Sequence, residues 1–481
     1  MQFSAFHMLR RAAESYPDTL AFTDADSSAT FMELYRESVR IGTAVASAVA
    51  RNAAVAVLTR HKLADVAAFY GVLYAGCYYV PIDAEAPPEY VQARIDSVKP
   101  ALVLDPSATS RRASDSTVDE ANADPATRRY EQALPNDPAY AIFTSGSTGS
   151  PKAAVIPHQA VWNLTRWLCE EFRLDGSTVF ASQTPFYFDA SVTEIYCTPY
   201  AGATTHIMPQ NAFFSPLKVV DFLNEHRVNT LEWATAAFKL IANSKVFEKR
   251  VPQYLTTIMF GGESLTGKHL NIWRKAIPQA MYVNLYGPSE TTVDCAFYVV
   301  DREFGNGESI PIGRAIDGAE LLLLDGQIAV RGIGVALGYC NDRARSESRF
   351  VQNPQVTAYR DVVYLTGDLA EYNAYGELVY LGRADSQVKH MGARVSLDEI
   401  ENGAVAVAGV ALAAAVFDAA RDRITLFYSG DAEEPQVAQS LERVLPRYSR
   451  PNAVRRLDAL PKLPNGKLDR ARIWEIYADY Q

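Results

Sequence analysis

The sequence predicts an α/β fold in which most strands of the main sheet are parallel. Residues 53–58 form a continuous apolar run, residues 62–76 space their apolar side chains as a helix does, and residues 78–81 return to a strand pattern. This strand–helix–strand order is typical of parallel sheets, and a similar alternation continues to about residue 300. Because 481 residues are too many for one hydrophobic core, we also expect at least two domains.

Composition argues against several classes of protein. The chain is 48% hydrophobic and 21% charged, which is ordinary for a soluble globular protein, and its net charge of −10 gives no sign of a nucleic-acid binder. It has neither a signal-peptide pattern nor an apolar run of ~20 residues, so we expect no membrane partner. The 5 cysteines are scattered without metal-ligand spacing, which favours a reducing cytoplasm over a disulfide frame or a zinc site.

Later parts of the chain differ in character. Residues 105–137 are rich in small polar residues and predict a surface excursion rather than a domain boundary. Beyond about residue 300 the pattern becomes β-rich, and after residue 385 it becomes a compact α+β pattern. The predicted elements there are strands 319–324, 327–330, 377–381, 411–417 and 424–428, and helices 397–407 and 435–444.

A loop rich in glycine and hydroxyl groups follows the apolar run 141–143, since residues 144–152 read TSGSTGSPK. Glycines let backbone N–H groups approach a phosphate, hydroxyls donate to its oxygens, and Lys152 supplies a positive charge. The spacing excludes a Walker P-loop, because Gly146 and Gly149 are too close together and Ala153 stands where Ser or Thr is required. Alone, such a run is more often a solvated linker.

The segment NLYGPSETT (284–292) carries a second set of chemical groups. Tyr286 can offer its ring face to a flat heterocycle such as adenine, Ser289 can donate to a phosphate oxygen, and Glu290 can bind Mg²⁺. The alternative is a tight turn with a packed tyrosine.

Three further segments complete the pattern. In YLTGDL (364–369), Asp368 can accept two ribose hydroxyls, although an aspartate in a turn is common. GRADSQVK (382–389) precedes Gly-Ala-Arg, and LPNGKLDR (463–470) places Lys467 on a turn near the C-terminus. Each segment has an ordinary structural explanation, but these explanations do not account for all five in this order.

Together the segments resemble the amino-acid adenylation domains of nonribosomal peptide synthetases, within the adenylate-forming superfamily, over essentially the whole chain. Residues 75–83, 188–192, 261–263 and 338–339 match as well. The resemblance implies a large N-terminal core (1–384) of helix-flanked sheets plus a distorted β-barrel. It also implies a small mobile α+β lid (385–481) that swings about Asp385.

The resemblance further implies ATP and Mg²⁺ as cofactors. It assigns catalytic roles to Lys467, which bridges the substrate carboxylate and the α-phosphate, to Lys152, and to Glu290, which holds Mg²⁺. The implied ATP-binding residues are Thr144, Ser145, Gly146, Ser147, Thr148, Gly149, Gly262, Glu263, Asn284, Tyr286, Gly287, Ser289, Asp368, Tyr380, Arg383 and Lys467.

The resemblance also implies an amino-acid substrate, because Asp189 matches the aspartate that receives the substrate amino group. The pocket residues implied by register are Asp189, Ala190, Thr193, Glu232, Met259, Gly261, Leu285, Val293 and Asp294. Since unpaired buried carboxylates are costly, Glu232 and Asp294 favour a basic amino acid: ornithine, lysine, arginine or β-lysine. The alternative is a small neutral amino acid, with Glu232 turned to solvent or to a nearby arginine.

The expected product is an aminoacyl-AMP that is transferred to the phosphopantetheine thiol of a separate carrier protein. The sequence up to Gln481 shows no carrier segment, so the resemblance is to a freestanding adenylation enzyme or to an excised domain. Two other functions stay open: an acyl- or aryl-CoA synthetase, and a non-catalytic module. His390, Met391, Ser396 and a short 324–332 segment depart from the family pattern and weaken the expectation for the thiolation-state contacts.

Overall fold

The computed structural model describes residues 3–109, 128–144, 151–383, 387–462 and 468–480. Its contacts divide the chain into two units. The first comprises Met1–Ala84, Val98–Phe143 and Ala153–Gly382, and the second comprises Glu85–Ser97, Thr144–Lys152 and Arg383–Gln481. The domain boundary at residues 384 and 385 stays a prediction.

The strands are β1 (Leu20–Thr23), β2 (Ser28–Thr30), β3 (Ala54–Thr59), β4 (Tyr78–Asp83), β5 (Leu102–Leu104), β6 (Pro138–Thr144), β7 (Lys152–Pro157), β8 (Val179–Ser182), β9 (Thr204–Ile207), β10 (Thr230–Ala234), β11 (Thr257–Gly261), β12 (Met281–Tyr286), β13 (Ala296–Val299), β14 (Arg314–Ala315), β15 (Ala319–Leu324), β16 (Gln327–Gly332), β17 (Phe350–Gln352), β18 (Val362–Tyr372), β19 (Leu378–Arg383), β20 (Gln387–His390), β21 (Ala393–Ser396), β22 (Val410–Asp418), β23 (Arg423–Gly430) and β24 (Ala453–Arg456).

The helices are α1 (Phe6–Ser15), α2 (Phe31–Ala48), α3 (Leu63–Tyr74), α4 (Pro88–Val98), α5 (Pro106–Thr109), α6 (His158–Glu171), α7 (Ser191–Ala201), α8 (Pro216–Glu225), α9 (Thr235–Asn243), α10 (Gly267–Ala276), α11 (Arg343–Arg349), α12 (Leu397–Val405), α13 (Glu434–Val444) and α14 (Arg470–Asp479). Single 3₁₀ turns occur at Arg129–Gln132, Gln210–Phe214, Val246–Glu248, Ser289–Thr291 and Arg447–Ser449.

One nine-stranded sheet and two five-stranded sheets make up most of the first unit. Nine strands run in the order β14-β13-β12-β11-β10-β8-β9-β1-β2, and a second sheet has the order β5-β3-β4-β6-β7. The central strands of the first are parallel, with antiparallel pairs at both ends. The β-rich segment forms an antiparallel sheet in the order β15-β16-β18-β17, with β19 paired to β18. The predicted α/β class is confirmed.

Local sequence signals explain the helices that lead to the site. The side chain of Thr30 accepts from the backbone N–H of Glu33 while the Glu33 side chain accepts from Thr30, so α2 begins with a capping box. Helix α7 is different, because every residue from Ser191 to Pro199 is buried. A helix buried on all sides needs protein around it, so α7 lies inside the first unit.

Parallel strands β10, β11 and β12 bring their carboxyl ends to one edge. Ala234 pairs with Gly261, which in turn pairs with Leu285. Open α/β sheets bind ligands at this kind of edge. Met259 and Leu285 are 0% and 3% exposed and belong to the main core.

The second unit carries sheets β20-β21 and β22-β23-β24 together with α12, α13 and α14. Its core includes Phe427, Ile473 and Tyr477. The compact α+β pattern expected after residue 385 is therefore present.

Segment 105–137 is exposed or half-buried at most of its described positions, with buried exceptions that include Tyr130. Tyr130 lies within the segment 105–137 that was expected at the surface, yet it is 0% exposed and its ring centroid lies 4.7 Å from that of Phe6. A single large aromatic side chain anchors this part of the segment, and its polar neighbours hide that signal. No helix among the described residues is both long and apolar enough to cross a membrane.

Candidate functional site

Asp189 lies in the turn that begins α7. Its carbonyl oxygen accepts from the N–H of Val192 at 2.9 Å, which starts the helix. Asp189 as a residue keeps some exposed surface, but its carboxyl group is surrounded by protein. Burial raises the pKa of this carboxyl group, the Ser289 hydroxyl lowers it, and the nearby Glu290 carboxylate raises it. A cation would therefore be a favourable partner for Asp189.

Glu290 lies in the 3₁₀ turn Ser289–Thr291 and is 0% exposed. The hydroxyl of Tyr339 donates a 2.7 Å hydrogen bond to its Oε1 atom. Burial raises the pKa of Tyr339, and the Glu290 carboxylate raises it further, so this hydroxyl keeps its proton and acts as a donor. The bond fixes the orientation of the Glu290 carboxylate.

Tyr286 and Asp368 come together from different sheets of the first unit. The Tyr286 hydroxyl donates a 2.7 Å hydrogen bond to Oδ2 of Asp368, and both side chains are buried. The half-buried ring of Tyr380 lies 6.4 Å from the Tyr286 ring. Two aromatic rings and a carboxylate at this distance can hold a flat base and ribose hydroxyls.

The other residues expected around adenine lie at the ends of β11 and β12. Asn284 is buried on β12, and its amide nitrogen donates to the carbonyl of Pro311 at 2.7 Å. Glu263 forms an ion pair with Lys239 at 3.1 Å, while Gly262 is exposed.

A tight backbone approach shapes the loop after β12. A Cβ atom on Gly287 would lie 2.1 Å from the carbonyl oxygen of Val293, so only glycine fits there. Thr292 and Val293 have φ angles of 62° and 66°, which are unusual for β-branched residues. Backbone strain of this kind persists where surrounding structure holds it, and here it places Asp294.

Carboxyl groups line the space near Asp189. Glu232 lies on β10 and is 4% exposed, and Asp294 is 5% exposed. Burial raises the pKa of Asp294 to about 8 and that of Glu232 well above its usual value. The alternative in which Glu232 faces solvent is wrong, and no arginine pairs with it among the described residues.

The remaining pocket residues are in the same unit. Ala190 is half-buried beside Asp189, Thr193 is 1% exposed on α7, and Val293 is 5% exposed. A Cβ atom on Gly261 would lie 3.0 Å from the carbonyl oxygen of Leu285, so glycine keeps space at the strand ends.

Several expected site residues belong to the second unit or lie outside the described part. Thr144 and Lys152 are buried and Arg383 is half-buried, and all three belong to the second unit. The residues that lie outside the described ranges are Ser145, Gly146, Ser147, Thr148, Gly149, Asp385 and Lys467.

Two residues of this region were missed in the sequence. Glu194 on α7 is 1% exposed and lies within electrostatic range of Glu232. Its signal was a glutamate in a helix whose other residues are apolar or small and uncharged. Tyr339 was noted only as part of a matching dipeptide, and its link to Glu290 spans 49 residues.

Known proteins resemble this chain over most of its length. The model of the AMP-binding enzyme family matches residues 9–340. The chain belongs to the AMP-binding enzyme family. One plipastatin synthase protein of Bacillus subtilis is 30% identical over 490 residues, covering 97% of this chain and 19% of that protein. This chain therefore spans about a fifth of that relative's length.

Two further matches cover most of both partners. D-alanine–D-alanyl carrier protein ligase of Bacillus licheniformis is 28% identical over 498 residues, covering 97% of this chain and 98% of that protein. The structure of holo-PA1221, a nonribosomal peptide synthetase protein containing adenylation and PCP domains, superposes with a TM-score of 0.84 at 26% identity. The match covers 98% of this chain and 84% of that one.

Membership of the AMP-binding enzyme family confirms the interpretation as an adenylating ligase of the adenylate-forming type, which uses ATP. A magnesium ion fits the residues present. Among the described residues no group of three or more His, Cys, Asp or Glu could hold a metal alone. Mg²⁺ is usually held by one or two carboxylates plus substrate phosphates, and the oriented carboxylate of Glu290 suits that role.

Proposed function

We propose that this AMP-binding enzyme activates a basic amino acid as aminoacyl-AMP and transfers it to the phosphopantetheine thiol of a separate carrier protein. The observation that carries the proposal is the set of buried carboxyl groups near Asp189. Asp189 begins α7, and Glu232 and Asp294 lie buried in the same unit. A substrate with a cationic side chain besides its amino group would pair with Asp189 through the amino group and with Glu232 and Asp294 through the side chain.

Asp189 favours an amino acid over a fatty or aryl acid. An ammonium group beside a desolvated carboxylate forms a charge-assisted hydrogen bond, roughly twice as strong as a neutral one. Its pKa is raised by burial in the free protein, so a bound ammonium restores the ionised form. A fatty or aryl acid offers no such partner.

Glu232 and Asp294 favour a basic side chain on that amino acid. Removing one member of a buried ion pair leaves the other charge without a partner, which costs about 3–5 kcal/mol. Here both acids are nearly inaccessible and carry oxygens without a hydrogen-bond partner among the described residues. Ornithine, lysine, arginine and β-lysine supply the missing cation.

ATP binding is proposed through the residues around Tyr286. The ring stacks on adenine, Asp368 accepts the ribose hydroxyls, and Tyr380 and Arg383 assist. Ser289 contacts the α-phosphate, and Glu290 holds the magnesium ion that neutralises charge on the phosphates. The role of Lys467 rests on the family resemblance.

The chemical step is attack of a carboxylate oxygen on the α-phosphorus. The bond between that phosphorus and the bridging oxygen breaks, and pyrophosphate leaves. Two anionic groups must meet, so cationic side chains are needed to offset their repulsion, and Lys467 and Lys152 are proposed to supply them. The thiolate of the carrier then attacks the acyl carbon and AMP leaves.

Two findings about relatives support a carrier protein as partner. The Bacillus licheniformis relative is a carrier protein ligase, and holo-PA1221 joins an adenylation domain to a PCP domain. Whether the carrier of this chain is a separate protein is part of the proposal.

Amino-acid-dependent exchange of pyrophosphate into ATP tests the proposal. We expect exchange with ornithine, lysine, arginine or β-lysine, and none with benzoate or a fatty acid. Strong exchange with alanine or leucine and none with the basic amino acids would contradict the proposal of a basic substrate. Formation of a CoA thioester from an aryl or fatty acid would favour the CoA synthetase alternative.

A further inference from the structure

Three buried carboxyl groups reach the first unit's interior from different elements. Glu232 lies on β10, Asp294 follows the strained residues 292 and 293, and Glu194 lies on α7. They are 4%, 5% and 1% exposed. One oxygen each of Glu232 and Asp294, and both oxygens of Glu194, lack a hydrogen-bond partner within the described ranges.

The surroundings of these acids contain further acidic groups and one cation. The titratable and charged groups that face them are Asp189, Cys197, Cys295 and Arg331. Arg331 lines the same cavity as Asp294, but its guanidinium group is bound to Glu320 at 2.8 Å and to Asp361 at 2.9 Å. That cation is therefore engaged elsewhere.

Charge balance limits how many of the three acids can ionise. Several bare carboxylates cannot share a desolvated space without a large penalty. In the proposed function the substrate amino group pairs with Asp189, which leaves the side-chain cation for the remaining acids. A single positive charge compensates one more carboxylate, so the other two must keep their protons.

We propose, building on the proposed function, that Glu232 and Asp294 form a carboxyl dyad that exchanges one proton for the substrate's side-chain cation. The dyad loses one proton to solvent when the cation binds and keeps the second. Glu194 stays protonated in both states. The site therefore selects an amino acid whose side chain carries one positive charge.

The acidity of the groups agrees with this arrangement. Burial and neighbouring carboxylates raise the pKa of Glu232, and burial raises the pKa of Asp294 to about 8 and that of Glu194 well above its usual value. In the free protein at neutral pH the dyad thus holds protons that a cation can displace. Affinity for a basic ligand rises with pH until the dyad ionises unaided.

Calorimetric titration of the full chain in two buffers of different ionisation enthalpy measures the protons released. The ligands are lysyl- and ornithyl-sulfamoyl-adenosine, which mimic the adenylate and do not react. Norleucyl-sulfamoyl-adenosine is the control, because it matches the lysyl chain but lacks the terminal ammonium. At pH 7 we expect a basic ligand to release about one proton more than the control. A difference near zero or near two overturns the dyad.

Variants locate the proton. In the double variant Glu232→Gln with Asp294→Asn, we expect no excess release, and the norleucyl ligand should bind at least as tightly as the lysyl one, which also reports a folded site. Glu194→Gln should keep the wild-type release, since glutamine replaces an acid that stays neutral. A changed release in this variant overturns the assignment of Glu194.

The two levels of the proposal fail differently. If the wild-type protein binds the norleucyl ligand as tightly as both basic ligands, the proposal of a basic substrate is contradicted, and the dyad proposal fails with it. If a basic ligand binds tightly and selectively without excess proton release, the dyad proposal is contradicted and the proposal of a basic substrate stands.

Discussion

The hydroxyl of Tyr339 donates a 2.7 Å hydrogen bond to Oε1 of Glu290, although the two residues are 49 positions apart. Glu290 follows β12 and Tyr339 follows β16, so the fold, not local sequence, creates the contact. In the proposed function this bond would orient the carboxylate that would hold magnesium. The link makes Tyr339 a positioning residue.

Removing that hydroxyl tests the link. In Tyr339→Phe we expect kcat/KM for magnesium–ATP to fall by about 10- to 150-fold, because a hydrogen bond to a charged group contributes ~1.5–3 kcal/mol. The KM for the amino acid should change little. Tyr364→Phe is the matched control, since the Tyr364 hydroxyl lies 3.5 Å from that of Tyr339 and is one step further from Glu290. Equal losses in the two variants would contradict the role of Tyr339.

Tyr286→Phe tests the ATP site. The variant keeps the ring but removes the 2.7 Å bond to Asp368, so the carboxylate loses its orientation for ribose. We expect the KM for ATP to rise by about three- to tenfold, corresponding to ~0.7–1.4 kcal/mol. The KM for the amino acid serves as the internal reference. If only the KM for the amino acid rose, Tyr286 would belong to the amino-acid pocket and not to the ATP site.

Gly287→Ala tests the tight approach after β12. The new Cβ would lie 2.1 Å from the carbonyl oxygen of Val293, so the loop that holds Asp294 must shift. We expect a loss of stability of about 1–3 kcal/mol and a higher KM for the basic amino acid. Thermal unfolding and pyrophosphate exchange measure both.

Gly307→Ala is the control for that change. Nothing lies within 4 Å of a Cβ atom at Gly307, so we expect wild-type stability and kinetics. If Gly287→Ala behaves like Gly307→Ala, the close approach does not constrain the loop.

The pH dependence of stability tests the buried state of Asp294. Its pKa is raised to about 8, so the folded protein binds more protons than the unfolded chain between the usual aspartate value and about pH 8. Stability from this group therefore falls as pH rises through that window. We expect Asp294→Asn to stabilise the unliganded protein by at least about 1 kcal/mol more at pH 8 than at pH 5.

Asp418→Asn is the contrasting control. Asp418 accepts hydrogen bonds from Arg421 and Tyr477, and its pKa is lowered to about 2, chiefly by Arg421. Its contribution is present above the unfolded pKa and is lost only as pH falls toward 2. This variant should be destabilised equally at pH 5 and pH 8. A pH-independent effect of Asp294→Asn as well would show that Asp294 is ionised in the folded protein.

Strong apolar patterns allowed much of the fold to be predicted. The runs at 53–58 and 319–324 and the helical spacing at 397–407 correspond to Ala54–Thr59, Ala319–Leu324 and Leu397–Val405. The apolar pattern of each segment has a clear period and a clear end, so tertiary contacts did not override its local preference for strand or helix. Asp189, Glu232 and Asp294 were found through motifs and register rather than through periodicity.

The missed features depend on distant neighbours. Glu194 lies in a helix buried on all sides, so no polar face marks it. The positive φ angles of Thr292 and Val293 have no signal in residue type, because β-branched residues disfavour them. The bond between Tyr339 and Glu290 exists only after two sheets assemble.

The central claim is that buried carboxylates select a basic amino acid for adenylation, and the ratio of kcat/KM for lysine or ornithine to that for norleucine in pyrophosphate exchange tests it most directly. We expect a ratio far above one in the wild-type protein and near or below one in the double variant Glu232→Gln with Asp294→Asn. A wild-type ratio near or below one, with robust exchange on norleucine, would contradict it.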